Sequence, residues 1–242
     1  RALMGHFLPM MVITALAQAM PKKVIATVGS PLWCINLSGV KQDGKSFTNL
    51  FFMNGGFGAA HDRDGANVLS WPSNISSTPV EMIEQLSPLR VRHRRLRTNS
   101  GGRGQFRGGT GQEIAFVNGG DTLLTVAFLA ERTRMETAPG GIAGGEAGAP
   151  GAVLINDARV DPKVQHVVAA GGTMELKTPG GGGYGMPASR DTALIDADRL
   201  DGRVRAHAEH QQPRREPGPR PLPAGVEHRH VRWRTPRRSG LR

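Results

Sequence analysis

The sequence predicts an α+β fold: a β-rich body with few helices and several glycine-rich loops. Three observations carry this. The apolar runs are short, rich in Val, Ile and Phe, and bounded by Asp, Asn and Gly. Only two windows read as helices, near residues 10–20 and 79–87. Three stretches, 54–65, 99–113 and 178–185, are dense in glycine.

Residues 1–20 are apolar. Met10, Met11, Ile13, Leu16, Ala17 and Met20 give a broad apolar surface around Pro9, and Pro21 ends the run. This predicts a buried helix, interrupted or started at Pro9, whose methionines fill core. The run is shorter than the ~20 apolar residues of a membrane span, and its basic flank is too thin for a signal peptide. Strands follow at 24–28, 33–37 and 47–53, the last two closed into a hairpin by Asp43-Gly44. Residues 54–65 could cradle a phosphate, but they lack a Gly-Lys-Ser/Thr ending and carry His61 where a dinucleotide loop needs glycine.

Thr78, Pro79 and Glu81 read as the start of the helix over 79–87, with Thr78 as N-cap and Glu81 completing a capping box. Asn74, just upstream, is left to contact a ligand or a neighbouring loop. Residues 89–97 alternate and then slip between His93 and Leu96, which predicts a strand with a bulge and a basic exposed face. Ile114–Val117 and Leu123–Leu129 read as a hairpin around Asn118-Gly-Gly-Asp121. Residues 139–151 read as a flexible Gly/Ala/Pro loop, and 153–155, 164–168 and 173–177 as short strands.

The net charge of +11 is uneven. Residues 203–242 hold eleven Arg, no Lys and three acids, a net of +8, so residues 1–202 carry only +3. Two regions are therefore expected: a body over 1–202, and an Arg/Pro/His-rich tail over 203–242 that is disordered or translated out of frame. Cys34 stands alone, so no intramolecular disulfide can form, and a cytoplasmic setting with a buried thiol is expected. His61 and Asp62 are adjacent but lack a third spaced ligand, so no metal is assigned.

Asn99-Ser-Gly-Gly-Arg-Gly-Gln-Phe-Arg-Gly-Gly-Thr-Gly111 holds Arg103 and Arg107 four apart, with Phe106 between them, and feeds a strand. It reads as a shaped loop. Thr178-Pro-Gly-Gly-Gly-Gly-Tyr-Gly185 is the third such loop and carries Tyr184, the only tyrosine. These two stretches, the second extended through Met186-Pro187, with Asn74–Glu81, Ser87–Val91 and Gly148–Gly151 in the same order, resemble the hydantoinase B/oxoprolinase family in its C-terminal part. The family includes the B-type chains of N-methylhydantoinase, half of 5-oxoprolinase, and subunits of acetone and acetophenone carboxylases.

The resemblance implies one part of a heteromeric enzyme that hydrolyses a small cyclic amide. An A-type partner would bind ATP with Mg and phosphorylate the ring carbonyl oxygen. It also implies a longer B-type chain whose N-terminal part carries a His/Asp segment able to hold a divalent metal. That segment is absent here, and the start at Arg1 is read as a fragment boundary. The resemblance extends to a final helix near 193–202. Its candidate site residues are Asn74 and Glu81 for catalysis, and Arg103, Arg107, Gly180 and Tyr184 for substrate or loop contacts. Each has a second reading: Asn74 holds a loop, Glu81 only caps a helix, and the arginines pair with acids. The alternatives at the level of function are the carboxylase branch, a non-catalytic assembly subunit, or RNA binding through the RGG-like run at 103–109 and the tail.

Overall fold

The computed structural model describes residues 2–41 and 43–205. The chain forms α1 (Ala2–Leu16), β1 (Trp33–Val40), β2 (Ser46–Met53), α2 (Val80–Leu86), β3 (Leu89–Leu96), β4 (Gln112–Asn118), β5 (Leu124–Leu129), β6 (Ala152–Ile155), β7 (Ala158–Arg159), β8 (His166–Val168), β9 (Thr173–Lys177) and α3 (Thr192–Leu200). The strands make two antiparallel sheets, ordered β2-β1-β5-β8 and β3-β4-β9-β6-β7. Alternation sets the inner faces. Trp33, Ile35, Leu37, Val126 and Phe128 of the first sheet share one core with Ile114, Phe116, Met174 and Leu176 of the second. The buried Trp33 indole donates to the Glu131 carbonyl at 3.0 Å, so its polar edge is satisfied.

The β-rich α+β reading holds, as does the β1–β2 hairpin; β3 does carry a bulge, but between Val91 and His93 and not between His93 and Leu96. The final helix is α3, whose N-cap Asp191 accepts from Ala193 N–H at 2.8 Å. Other expectations fail. The segments around Asn118 are not a hairpin: β4 pairs with β3 and β9, whereas β5 lies in the other sheet beside β1 and β8. Asn118 holds this crossing, donating to the Thr122, Val168 and Ala169 carbonyls while its Oδ1 accepts from Gly120. A turn sequence reports the reversal of the chain, not which strands pair.

The first helix is not buried, and it neither starts nor breaks at Pro9. It runs over Ala2–Leu16 with Pro9 inside, and of its methionines only Met10 is buried while Met4 and Met11 are exposed. The capping box is not formed either. Helix α2 starts one residue late, with Pro79 as N-cap and no side-chain cap, so Glu81 sits too early to reach back. Part of the cause is Arg94, which binds the Thr78 carbonyl at 2.9 Å.

The rest of the body is built almost from backbone alone. Segments 24–29, 54–60, 100–103, 106–111, 139–142, 145–149 and 178–184 run outside both sheets, including 24–28, expected as a strand. Their mutual hydrogen bonds recur at every third residue. Ala26 and Gly29 donate to Ala59 and Gly56; Gly56 and Ala59 donate to Pro179 and Gly182. Thr178, Gly181 and Tyr184 donate to Gln112, Gly109 and Phe106; Gly180 and Gly183 donate to Ala149 and Glu146. A period of three with every bond made to a neighbour is that of the polyproline II helix, which has no internal hydrogen bonds.

Segment 178–184 is the axis. Among the described residues it is hydrogen-bonded to each of the other segments. Its consecutive glycines follow from that. A Cβ on Gly180 would strike Ser100 O, on Gly181 Phe57 O, and on Gly182 Gly140 O, all within 3.0 Å. Gly183, one turn further, returns to the first neighbour and meets Arg103 O. Residues 139–151, expected to be flexible, are packed into this bundle: Gly145 and Gly148, three apart, both face the axis.

Arg203 and Arg205, assigned by sequence to the tail, bond to the body: Asn99 N–H donates to Arg203 O, and Arg205 N–H to Asn99 Oδ1. The expectations for the remainder of the tail fall outside the described residues. No helix among the described residues is long and apolar enough to cross a membrane.

Candidate functional site at the ends of the glycine bundle

Segments 54–60 and 178–184 run parallel, and 106–111 runs against them. Asn54, Thr178 and Gln112 therefore share one end of the bundle; His61, Tyr184 and Phe106 share the other. At a rise of about 3.1 Å per residue, the ends lie roughly 19 Å apart.

The first end is a buried polar network. The Asn54 carbonyl accepts from Thr178 Oγ1 at 2.9 Å and Gln112 Nε2 at 3.1 Å. Gln112 Oε1 accepts from Arg94 Nε at 3.1 Å. Arg97 Nη1 donates to the carbonyls of Pro150 and Thr178, at 2.7 and 3.0 Å. Arg132 donates to the carbonyls of Ser30 and Thr137. These guanidinium groups thus donate to neutral oxygens, and burial pushes the pKa of all three down. Positive charge held this way attracts an oxyanion, phosphate or carboxylate.

Beside this network is a narrow recess of about 10 Å³, room for roughly one water. Ser30, Asn54, Leu69, Ser70 and Trp71 line it. Asn54 is 5% exposed, and its Oδ1 has no hydrogen-bond partner. The outer wall is the loop over 68–78, where Val68 and Asn74 both take a φ of 50°. Ser70 Oγ closes the loop by accepting from Ile75 N–H at 3.0 Å. The free acceptor of Asn54 suits the N–H or O–H donor of a molecule no larger than water.

At the second end, the buried Tyr184 ring meets His61 edge-on at 6.5 Å between centroids. Arg103 is exposed, 3.9 Å from Glu146. Nearby, Asp198 is buried among three guanidinium groups: Arg107 at 3.2 Å, Arg190 at 2.6 Å and Arg203 at 3.5 Å. Arg190 also grips both oxygens of Asp64 at 2.7 Å. Burial raises the Asp64 pKa, but the Arg190 hydrogen bond, the Arg107 N–H and both nearby cations outweigh it and hold the carboxyl below its usual range. This cluster fastens α3 to the bundle.

The residues singled out from sequence do not converge. Asn74 lies exposed in the loop beside the recess, and Glu81 is exposed in the first turn of α2. Arg103 and Tyr184 are at the far end, Arg107 is in the ion cluster, and Gly180 lies in the bundle axis, where it makes room for backbone. Sequence reasoning passed over Asn54, Gln112, Arg97 and Arg132. The signal for Asn54 was its place where a strand turns into a glycine run. The arginines gave none, because exposed and buried arginines look alike in a basic strand. Of that strand, Arg94 and Arg97 turn inward and Arg95 pairs with Glu113 at 2.9 Å. The RGG-like run is fixed in the bundle.

The fold also gathers a group that the linear sequence hides. His93, Glu113 and Glu175, on β3, β4 and β9, bring ligand atoms within 4.8 Å of one another. Arg95 and Lys177 already pair with these carboxylates, Lys177 at 3.3 Å from Glu175. The charge there is balanced without an ion, so the group reads as an ion-pair lattice on the outer face of the sheet.

Comparison with known proteins settles the lineage. The family model for hydantoinase B/oxoprolinase matches residues 1–187. The chain belongs to that family. The putative B-type chain of a D-/L-hydantoinase from Pseudomonas sp. (strain NS671) is 33% identical over 202 residues, covering 78% of this chain and 32% of that protein. The beta chain of the caprolactamase of Pseudomonas jessenii is 29% identical over 215 residues, covering 78% and 35%. A 5-oxoprolinase of Dictyostelium discoideum is 34% identical over 150 residues, covering 59% of this chain and 11% of that protein. Among solved structures, the ATP-dependent caprolactamase from Pseudomonas jessenii superposes with a TM-score of 0.65 at 25% identity, covering 79% of this chain and 35% of that one. Nucleotide-free acetone carboxylase shares the fold, with a TM-score of 0.65 at 19% identity over 78% of this chain and 30% of that one. The chain spans about a third of the length of the two bacterial relatives it matches.

Proposed function

We propose that this chain is part of the B-type component of an ATP-dependent enzyme that hydrolyses a small cyclic amide, working with an A-type partner that binds ATP and Mg. The observation that carries the reading is agreement among the relatives. Their names, hydantoinase, caprolactamase and 5-oxoprolinase, all describe opening of a cyclic amide, and two of them are named as subunits. ATP supplies phosphoryl activation of the ring carbonyl oxygen, which makes the ring carbon a better electrophile. The recess beside Asn54 has room for about one water, so the ring itself would need a pocket completed by the rest of the polypeptide.

The test is reconstitution. The chain is joined to the rest of a B-type polypeptide, mixed with an A-type partner, and assayed for ATP hydrolysis in the presence of hydantoin, 5-oxoproline or ε-caprolactam. The expected result is stimulation by one ring together with its opening. Stimulation by a ketone with bicarbonate, and by no ring, assigns the chain to the carboxylase branch and rejects the hydrolase reading.

A further inference from the structure

Helix α1 contains no Asp, Glu, Lys or Arg. Its Met10 packs against the body, and Phe7 lies on the Arg132 guanidinium, 5.6 Å from ring centroid to carbon. The opposite side is also apolar. Met4, Leu8, Val12 and Leu16 form an unbroken i, i+4 row, with Met11 beside it, and all five are exposed; Met4, Leu8 and Met11 are 60–67% exposed. Single exposed apolar residues are ordinary, but a contiguous set is not. An i, i+4 row is the ridge by which one helix seats in the groove of another, and a helix apolar all round is one that is buried. The contrast within the protein is direct: α3 turns Asp196 and Arg199 to solvent.

We infer that the outer ridge of α1 is the docking surface for a helix from the remaining two thirds of a full-length B-type polypeptide. This rests on the reading of the chain as part of such a polypeptide. Two observations select the occupant. The chain accounts for only 32–35% of its bacterial relatives, so most of a B-type polypeptide lies outside it. The ridge is also free of charge, the character of a permanent contact or a domain core cut in two, whereas contacts between separable partners carry polar groups.

The experiment follows α1 by hydrogen exchange in two settings. One is the 242-residue chain alone. The other is a chimera in which it replaces the matching third of the Pseudomonas hydantoinase B-type chain, with the same upstream polypeptide added in trans as a second arm. Amides of β4 and β9 report that the body is folded in every sample. Alone, the chain is expected to be monomeric by light scattering, to bind a hydrophobic dye, and to exchange fast over residues 2–20. In the chimera or the trans complex, exchange there slows at least tenfold and dye emission falls. Leu8→Asp removes that protection, Leu8→Met keeps it, and neither alters β4 or β9.

Three results overturn the inference. One is protection of α1 in the isolated chain through self-association, which makes a second copy the occupant. Another is protection that appears only when an A-type partner is added. The last is fast exchange in both arms with β4 and β9 protected. None of these readouts needs catalysis, so failure here is distinguishable from failure of the cyclic-amide assay.

Discussion

The glycine bundle and the paired sheets are two solutions to close packing in one chain. Between the sheets, side chains such as Trp33, Phe116 and Leu176 fill the space and exclude water. In the bundle, side chains are removed so that backbones touch, and hydrogen bonds at every third residue hold the segments together. The sheets draw on apolar burial; the bundle draws on steric fit and satisfied polar groups. A sheet core therefore yields to substitution by degrees, whereas the bundle axis has no slack at all.

That contrast sets an order of effects. The largest belongs to Gly180→Ala, which would drive a methyl group into the Ser100 carbonyl, itself hydrogen-bonded to Ala149 N–H. Rigid backbone cannot yield as side chains do, so the cost exceeds the ~1–3 kcal/mol of ordinary overpacking. Circular dichroism with thermal melting should show no cooperative transition; a melt like that of the wild type would break the contrast. Next comes Asp198→Ala, which leaves the buried Arg107 without its carboxylate partner and should cost about 3–5 kcal/mol in urea unfolding. Leu176→Ala, in the sheet core, should cost about 2–5 kcal/mol and leave a cooperative, weaker fold.

Acid should weaken the bundle through Asp64. The Asp64 carboxyl has a lowered pKa when folded, so its contribution is present above its unfolded value, near ~3.9, and is lost as pH falls through the folded one. Urea midpoints between about pH 7 and pH 2 should fall less steeply in Asp64→Asn; parallel curves would sever the link to this residue. The smallest effect has the opposite sign. Gly5, inside α1, has open space around it, so Gly5→Ala should stabilise by about 0.5–1 kcal/mol in thermal melts. One substitution type thus separates a glycine kept for packing from one that packs against nothing.

The sheets were readable in the sequence because alternation and β-branching are local. β1, β2, β4 and β9 stand close to where their patterns put them. Which strands pair was not readable around Asn118, since β4 and β5 meet their partners only through distant residues. The glycine stretches announced themselves as ordered, but their period of three is written in hydrogen bonds between segments and leaves no side-chain pattern along any one of them. The site fared worst for the same reason. Asn54, Gln112 and Thr178 come from separate stretches, and only the register of the bundle places them side by side. Glu81 misled because a capping box needs a helix start that Arg94, sixteen residues past Thr78, helps to displace.

The axis of the bundle is also its last segment to be synthesised. Among the described residues, 24–149 supply the backbone hydrogen-bond partners of 178–184, and those bonds cannot form until the axis has left the ribosome. Until then these strands expose unpaired amides and glycine-lined grooves. The keystone arrives after the arch, so assembly of this half of the molecule must wait on its final insertion and proceed slowly through contacts distant in sequence.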